Sequence, residues 1–248
     1  MARFFLNQEQ VTNTSVKITG EDAHHIARVL RHKVGDEIEC APNTGEIHIV
    51  RLTHVEANLV EGVIVDSFMS NQESPLVTRL YQGLAKGDKM DFVIQKAVEL
   101  GVSEIIPYTS RYTVVKLNQA QQLKRLERWE RIAREAAKQS KRARLPMVHS
   151  LVQFDQLLQN LEVQASAGEL ILVPYEHEKQ VRLKDIECSK PKAVSILIGP
   201  EGGFHPTEVA QAMERGAWVL SLGPRILRTE TAGLVALSLV GCRWGDLG

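Results

Sequence analysis

Short runs of strand character fill the first quarter of the chain, at residues 15–18, 37–40, 46–52 and 59–65, with turn residues at Gly35, Asp36, Pro42 and Gly45 between them. This pattern predicts a small β-barrel or sandwich. One helix interrupts it. From Glu21 to about Lys33, Ala23, Ile26, Ala27 and Leu30 recur at helical spacing, which leaves His24, Arg28 and Arg31 on a second, basic face. The segment 71–75 is polar and ends in Pro75, and beyond it the period changes. A domain boundary is expected there, giving domains 1–72 and 73–248.

Strands and helices then alternate. Strands are predicted at 76–81, 104–108, 169–173, 193–198 and 218–222. A helix opens at Asp88 with Met90, Val93, Ile94, Ala97 and Val98 as its apolar stripe, and Gly101 ends it. A long helix over 119–140, capped by Asn118, turns Leu123, Leu126, Ile132, Ala133, Ala136 and Ala137 to the core. A shorter one runs from Pro206 to Glu214. The last helix, 229–243, is apolar on almost every face, with Leu234, Val235, Leu237, Leu239 and Val240, and needs burial in the domain or in a subunit interface. Alternating strands and helices predict an α/β domain with a parallel sheet covered on both faces.

Composition alters this picture in two places. Lys and Arg number 30 and so do Asp and Glu, so overall charge names no partner. Yet between Lys124 and Arg144 nine basic residues face three glutamates, a segregation that a polyanion-binding surface requires and that a solvated helix with ion pairs also shows. Cys40, Cys188 and Cys242 are widely spaced and form no C-x-x-C, so neither a disulfide framework nor a metal site is expected. The N-terminus lacks a signal-peptide core and no apolar run approaches a membrane span, so a cytoplasmic protein is expected.

Candidate chemistry gathers at strand ends. Ligands of open parallel sheets bind outside the carboxyl ends of the strands. Three ends here carry unusual loops: Pro174 and Tyr175, Gly199 to Phe204, and Gly223 to Thr231. Two of them begin with Gly-Pro, which ends the ladder and lets a ligand approach the backbone. Neither G-x-G-x-x-G after a first strand nor G-x-x-x-x-G-K-[ST] occurs, so a dinucleotide fingerprint and a P-loop are unsupported. A purely structural turn would resemble the Gly199 loop taken alone.

Leu197-Ile-Gly-Pro-Glu-Gly-Gly203 followed by Leu222-Gly-Pro-Arg-Ile-Leu-Arg-Thr-Glu-Thr-Ala232 resembles the bacterial 16S rRNA uridine-N3 methyltransferase family, of the SPOUT class of S-adenosylmethionine-dependent RNA methyltransferases. His25-Ile-Ala-Arg-Val-Leu-Arg31, Lys86-Gly-Asp-Lys-Met-Asp-Phe92, Gln95-Lys-Ala-Val-Glu-Leu-Gly101 and the closing Arg243-Trp-Gly-Asp-Leu247 extend the similarity over nearly the whole chain. One departure is His205, where relatives often carry a Ser or Thr cap before the Pro206 helix.

The resemblance implies an N-terminal PUA-like barrel for RNA, a C-terminal SPOUT-type sheet whose last segment threads a trefoil knot, and a homodimer. General topology rules argue against such threading, and these folds are exceptions. Implied for S-adenosylmethionine are Leu172, Ile198, Gly199, Pro200, Glu201, Gly202, Leu222, Gly223, Ile226 and Leu227. The 16S rRNA, within the small ribosomal subunit, is expected to meet Arg3, His24, Arg28 and Arg31 in the first domain, and Lys86, Lys89, Lys116, Arg142 and Arg144 in the second.

Methylating uridine N3 requires loss of its proton, because the lone pair of the neutral imide is delocalised into two carbonyls; no metal is needed. Arg228 is expected to stabilise the uracil anion and Glu230 to accept the proton. Their structural alternatives are bracing the loop and serving the first turn of the last helix. Two rival functions remain at this level. A non-catalytic RNA-binding assembly factor would need neither Gly-Pro loop, and a nucleotide-dependent transferase would need a phosphate site, for which Lys86 to Lys89 is a remote candidate.

Overall fold

Strands β1 (Arg3–Phe5), β2 (Ser15–Thr19), β3 (Glu37–Ala41), β4 (Glu46–Val55) and β5 (Leu59–Met69) form one sheet in the order β1-β3-β4-β5-β2 in the computed structural model, which describes residues 1–248. The β1–β3 pair is parallel and the others antiparallel, and the ladder stays open between β1 and β2. Phe4, Val16, Ile18, Ile38, Cys40, Val50, Leu52 and Val60 form its core, as alternation in half-buried strands requires. Burial pushes the Cys40 thiol up to about 12, so it packs rather than reacts. Strand β1 lies outside the expected runs, since three residues are too few to show a period.

The expected basic helix is shorter and less regular than its pattern. Helix α1 (Gly20–His24) passes into a π-helical turn, His25–Val29, and the chain leaves it through Arg31 at φ +56°. The wider turn is closed by Leu30 N–H on His25 O at 2.9 Å and His32 N–H on Ile26 O at 3.1 Å. Ala23 and Ile26 are buried, but Leu30 is exposed; His24, Arg28 and Arg31 are all exposed.

This unit comprises Met1–Glu73 together with Ala137–Leu145. The returning segment explains two corrections. Arg3 is buried, donating through Nε to Glu39 at 2.8 Å and through its other nitrogens to the carbonyls of Lys141 and Arg142. Arg142 is buried against Glu73 at 2.9 Å, and the same carboxylate accepts the amides of Ala143 and Arg144. Neither guanidinium is presented to a polyanion. Lys138 pairs with Asp22 and Lys141 with Glu39, so much of the basic tail serves internal pairing.

The second unit, Ser74–Ala136 with Pro146–Gly248, holds a seven-stranded, all-parallel sheet. It contains β6 (Val77–Gly83), β7 (Glu104–Thr109), β8 (Met147–Val148), β9 (Val152–Gln153), β10 (Leu170–Pro174), β11 (Ala193–Ile198) and β12 (Trp218–Leu220). The order is β12-β10-β11-β6-β7-β8, with β9 also on β7. Every residue of β11 is buried, as expected of a central strand covered on both faces. Tyr81, Tyr108, Ile171, Val173 and Leu197 face α4 (Phe154–Ser166) and α5 (Pro206–Met213). On the other face, α6 (Thr229–Trp244) packs through Gly233 onto Leu80 and Ile198, beside α2 (Lys89–Glu99).

Helix α3 (Gln119–Gln139) starts as expected, with a reciprocal pair between Asn118 and Gln121. Its buried stripe is Trp129, Ala133, Ala136 and Ala137; Leu123 is exposed and Leu126 and Ile132 are half-buried. Trp129 lies on the same face as Ala133, Ala136 and Ala137, at i, i+4, i+7 and i+8, and extends the expected stripe towards the helix start. His205 does cap α5: Nδ1 accepts the Thr207 amide at 3.2 Å, and Glu208 returns a bond to the His205 amide at 2.9 Å. The strap 175–192 is fastened to the C-terminal segment by Ser221 N–H on Val181 O at 2.8 Å, by Arg243 on the carbonyls of Leu183 and Ile186, and by Trp244 Nε1 on Cys188 O at 3.0 Å. These bonds tie the strap to the C-terminal segment, the region where the resemblance implies a knot.

Candidate functional site

The carboxyl ends of β10, β11 and β12 open into one cleft of about 780 Å³, a size typical of small-molecule sites. Ile198, Leu222, Ile226 and Leu227 give it apolar wall; Lys89, Glu201, Arg228 and Glu230 supply charge. Gly199, Pro200, Gly202 and Gly223 also line it. Leu172, expected among the ligand contacts, does not line the cleft: it is buried within β10, which runs on to Pro174 at the cleft's edge.

Backbone proximity builds the β11 loop. A Cβ on Gly83 would lie 2.3 Å from Pro200 N and 2.7 Å from Gly199 C, so the end of β6 can approach the Gly199-Pro200 peptide only as glycine. Gly223 has φ +125°, and a Cβ there would meet nothing within 4 Å. That conformation favours glycine and leaves open space beside the β12 loop.

Buried polar groups secure the same loop from beneath. Thr229 Oγ1 donates to Gly199 O at 2.6 Å and accepts from Gln82 Nε2 at 2.9 Å. Tyr108 donates its hydroxyl to Ile198 O at 2.9 Å, and burial drives that phenol well above its ordinary range. Sequence reasoning missed Gln82, Thr229 and Tyr108 as supports. The available signal was a glutamine ending the apolar run of β6, where a buried amide must find partners.

The charged wall centres on Lys89. Its ammonium lies 3.3 Å from Glu201 Oε1 and 3.6 Å from Glu230 Oε2. Burial pushes the Glu201 carboxyl up, but the Lys86 amide at 2.8 Å and Lys89 outweigh it and hold the group below its ordinary value. Glu230 Oε2 is buried without a hydrogen-bond partner. Arg228 is exposed at the cleft, at the N-cap position of α6. Lys86, Lys116 and Arg144 are exposed; Arg144 also donates to Thr44 O at 3.0 Å. Thus Arg228, Glu230, Lys89 and all the expected cofactor contacts except Leu172 converge on one cleft.

A parallel sheet with a strapped C-terminal segment, and a cleft made by three strand-end loops, defines a methyltransferase of the SPOUT fold class. The chain belongs to the RNA methyltransferase family: residues 72–241 match the RNA methyltransferase domain, and 18–65 match the RNA methyltransferase PUA domain. Its relatives include the ribosomal RNA small subunit methyltransferase E of Bacillus subtilis, 38% identical over 97% of this chain and 96% of that protein. That of Buchnera aphidicola subsp. Schizaphis graminum is 32% identical over 99% and 96%. Among solved structures, ribosomal RNA small subunit methyltransferase E from Neisseria gonorrhoeae bound to S-adenosyl methionine superposes with a TM-score of 0.87, at 34% identity and full coverage of both chains.

Proposed function

We propose that this protein transfers a methyl group from S-adenosylmethionine to N3 of a uridine in the 16S rRNA of the small ribosomal subunit, and that it does so as a homodimer. The observation that carries the reading is the single cleft that unites the two Gly-Pro loops with Arg228 and Glu230. A relative of the same fold bound to S-adenosyl methionine favours this over a non-catalytic assembly factor. The cleft fits that cofactor: apolar side chains suit an adenine and a thioether chain, Gly223 leaves open space, and Glu230 Oε2 is a buried acceptor without a donor.

When bound, the cofactor supplies an electrophilic methyl on a sulfonium sulfur. The protein's residues do the rest. Ile198, Leu222 and Leu227 exclude water, Ile226 closes on the ligand from the exposed rim, and the Gly199 and Gly223 loops orient the ligand through backbone. Arg228 faces the negative charge that forms on the uracil carbonyls, and Glu230 takes the N3 proton. His24, Arg28, Arg31 and Arg144 in the first unit, and Lys86 and Lys116 in the second, bind RNA phosphates.

The test is transfer of labelled methyl from S-adenosylmethionine to 16S rRNA and to small subunits, with the product nucleoside identified as 3-methyluridine and its position mapped. A folded protein that binds no S-adenosylmethionine by calorimetry would sink the reading.

A further inference from the structure

Lys89 opens α2 directly after the Gly87 turn, and its ammonium stands between carboxylates carried by two other elements. The contact with Glu201, 3.3 Å, is a hydrogen bond; that with Glu230, 3.6 Å, is an ion pair beyond hydrogen-bond length. Glu201 has a further donor in the Lys86 amide. Glu230 Oε2 has none and is buried. Leaving a buried carboxylate oxygen without a donor is costly, so such an atom on a cleft wall marks where a donor arrives from outside the chain.

Lys179, Arg182, Arg225 and Arg228 line the same cleft, but Lys89 is the cation that forms an ion pair with Glu230, while Lys96 of its own helix pairs with Glu99. Helix α2 also carries Asp91, which is bonded to Arg128 of α3. Strand β6 carries Arg79, engaged by Glu104 and Glu169, and β11 carries no charge. On its own segment, Arg228 precedes Glu230 at the helix start, and Arg243 is held by the strap.

We propose that Lys89 is a positioning residue for methyl transfer, keeping Glu230 as the carboxylate that receives the N3 proton while sharing its charge with Glu201. This rests on the methyl-transfer reading above. In the step, the N3–H bond breaks and the proton passes to Glu230 Oε2. Nitrogen keeps that electron pair and bonds the incoming methyl carbon, while the sulfonium sulfur retains the pair of the bond it loses and becomes a thioether. Lys89 itself neither gives nor takes a proton, and it is held by carboxylates rather than offered to RNA phosphate.

The experiment is the pH profile of kcat/KM for methyl transfer to 16S rRNA, for the parent, Lys89→Met, Lys89→Arg and Glu201→Gln, with cofactor affinity and circular dichroism on each. Lys89→Met removes a positive charge 3.6 Å from Glu230, and a nearby opposite charge favours the ionised form of a carboxyl. The acid limb of Lys89→Met should therefore move up by about one pH unit, the lower end of the range for an opposite charge within roughly 4–6 Å. Lys89→Arg should return it towards the parent. Glu201→Gln should move it down, because Lys89 then serves Glu230 alone. A Lys89→Met variant that loses rate equally at every pH, with the limb in place, would overturn the proposal. If that variant does not fold, an unmoved limb in Glu201→Gln overturns it equally. A parent that binds no cofactor would instead defeat the methyl-transfer reading.

Discussion

Thr229 is a single hydroxyl that serves two partners, and its removal should be felt at both. In Thr229→Val the Gly199 carbonyl loses its donor and the Gln82 amide the nearer of its two acceptors, keeping only Gly83 O at 3.3 Å, beside a Gln82 Oε1 that already lacks a partner. Each buried group left unsatisfied costs about 1–3 kcal/mol, so thermal unfolding should begin at clearly lower temperature and cofactor affinity should fall with it. Arg228 is the opposite case, exposed and with its role expected only in the reaction. Arg228→Ala should leave the unfolding midpoint and S-adenosylmethionine affinity in place while kcat drops by about 10²–10³, as for loss of one preorganised donor. Equal loss of cofactor binding would assign Arg228 to the loop instead.

Among elements, β7 carries a charged cluster that should set acid stability. The His149 hydrogen bond is the leading cause holding Glu104 below its ordinary 4.5; burial opposes it and Arg79 adds to it. A folded value below the unfolded one means that the stabilisation is complete above about 4.5 and is lost as pH falls through the lowered value. Unfolding midpoints of the parent should decline across that window, and those of Glu104→Gln should decline less. The α1 and π-turn segment makes a different prediction. An Arg28→Ala, Arg31→Ala double variant should bind RNA more weakly, with a salt dependence shallower by roughly 0.7–0.9 per lost phosphate contact. Unchanged affinity and slope would exclude this face from the RNA surface.

At the scale of the whole molecule the question is what covers α6. Leu237 is only 2% exposed and packs within its own chain, so it cannot report on association. Leu239 is 41% exposed, with Val235 half-buried one turn before it, and Ile226 in the adjoining loop is 86% exposed. A second copy packed on this face would bury them, and burying a leucine fully is worth roughly 1.5–3 kcal/mol. If the protein works as the proposed dimer, the parent should sediment as one and Leu239→Glu as a monomer with its fold intact. A parent that is monomeric at working concentration and still methylates RNA would remove the dimer from the mechanism. No helix is long and apolar enough to cross a membrane.

Local pattern determined much of this protein. Alternation in the first strands, the apolar run of β11, the Asn118 start of α3 and the Gly-Pro strand ends are written in neighbouring residues, and they place the cleft's loops. Helix α4 and strands β8 and β9 were not anticipated; two-residue strands exist only through their pairing with β7. Tertiary structure alone decided which charges are free to act. Arg3 and Arg142 look like RNA contacts until the fold buries them against Glu39 and Glu73, and Lys89 gains two carboxylate neighbours, Glu201 and Glu230, that its sequence position does not show. The reason is physical: a charge's role depends on its partners and its access to water, and here those partners lie tens of residues or more away along the chain.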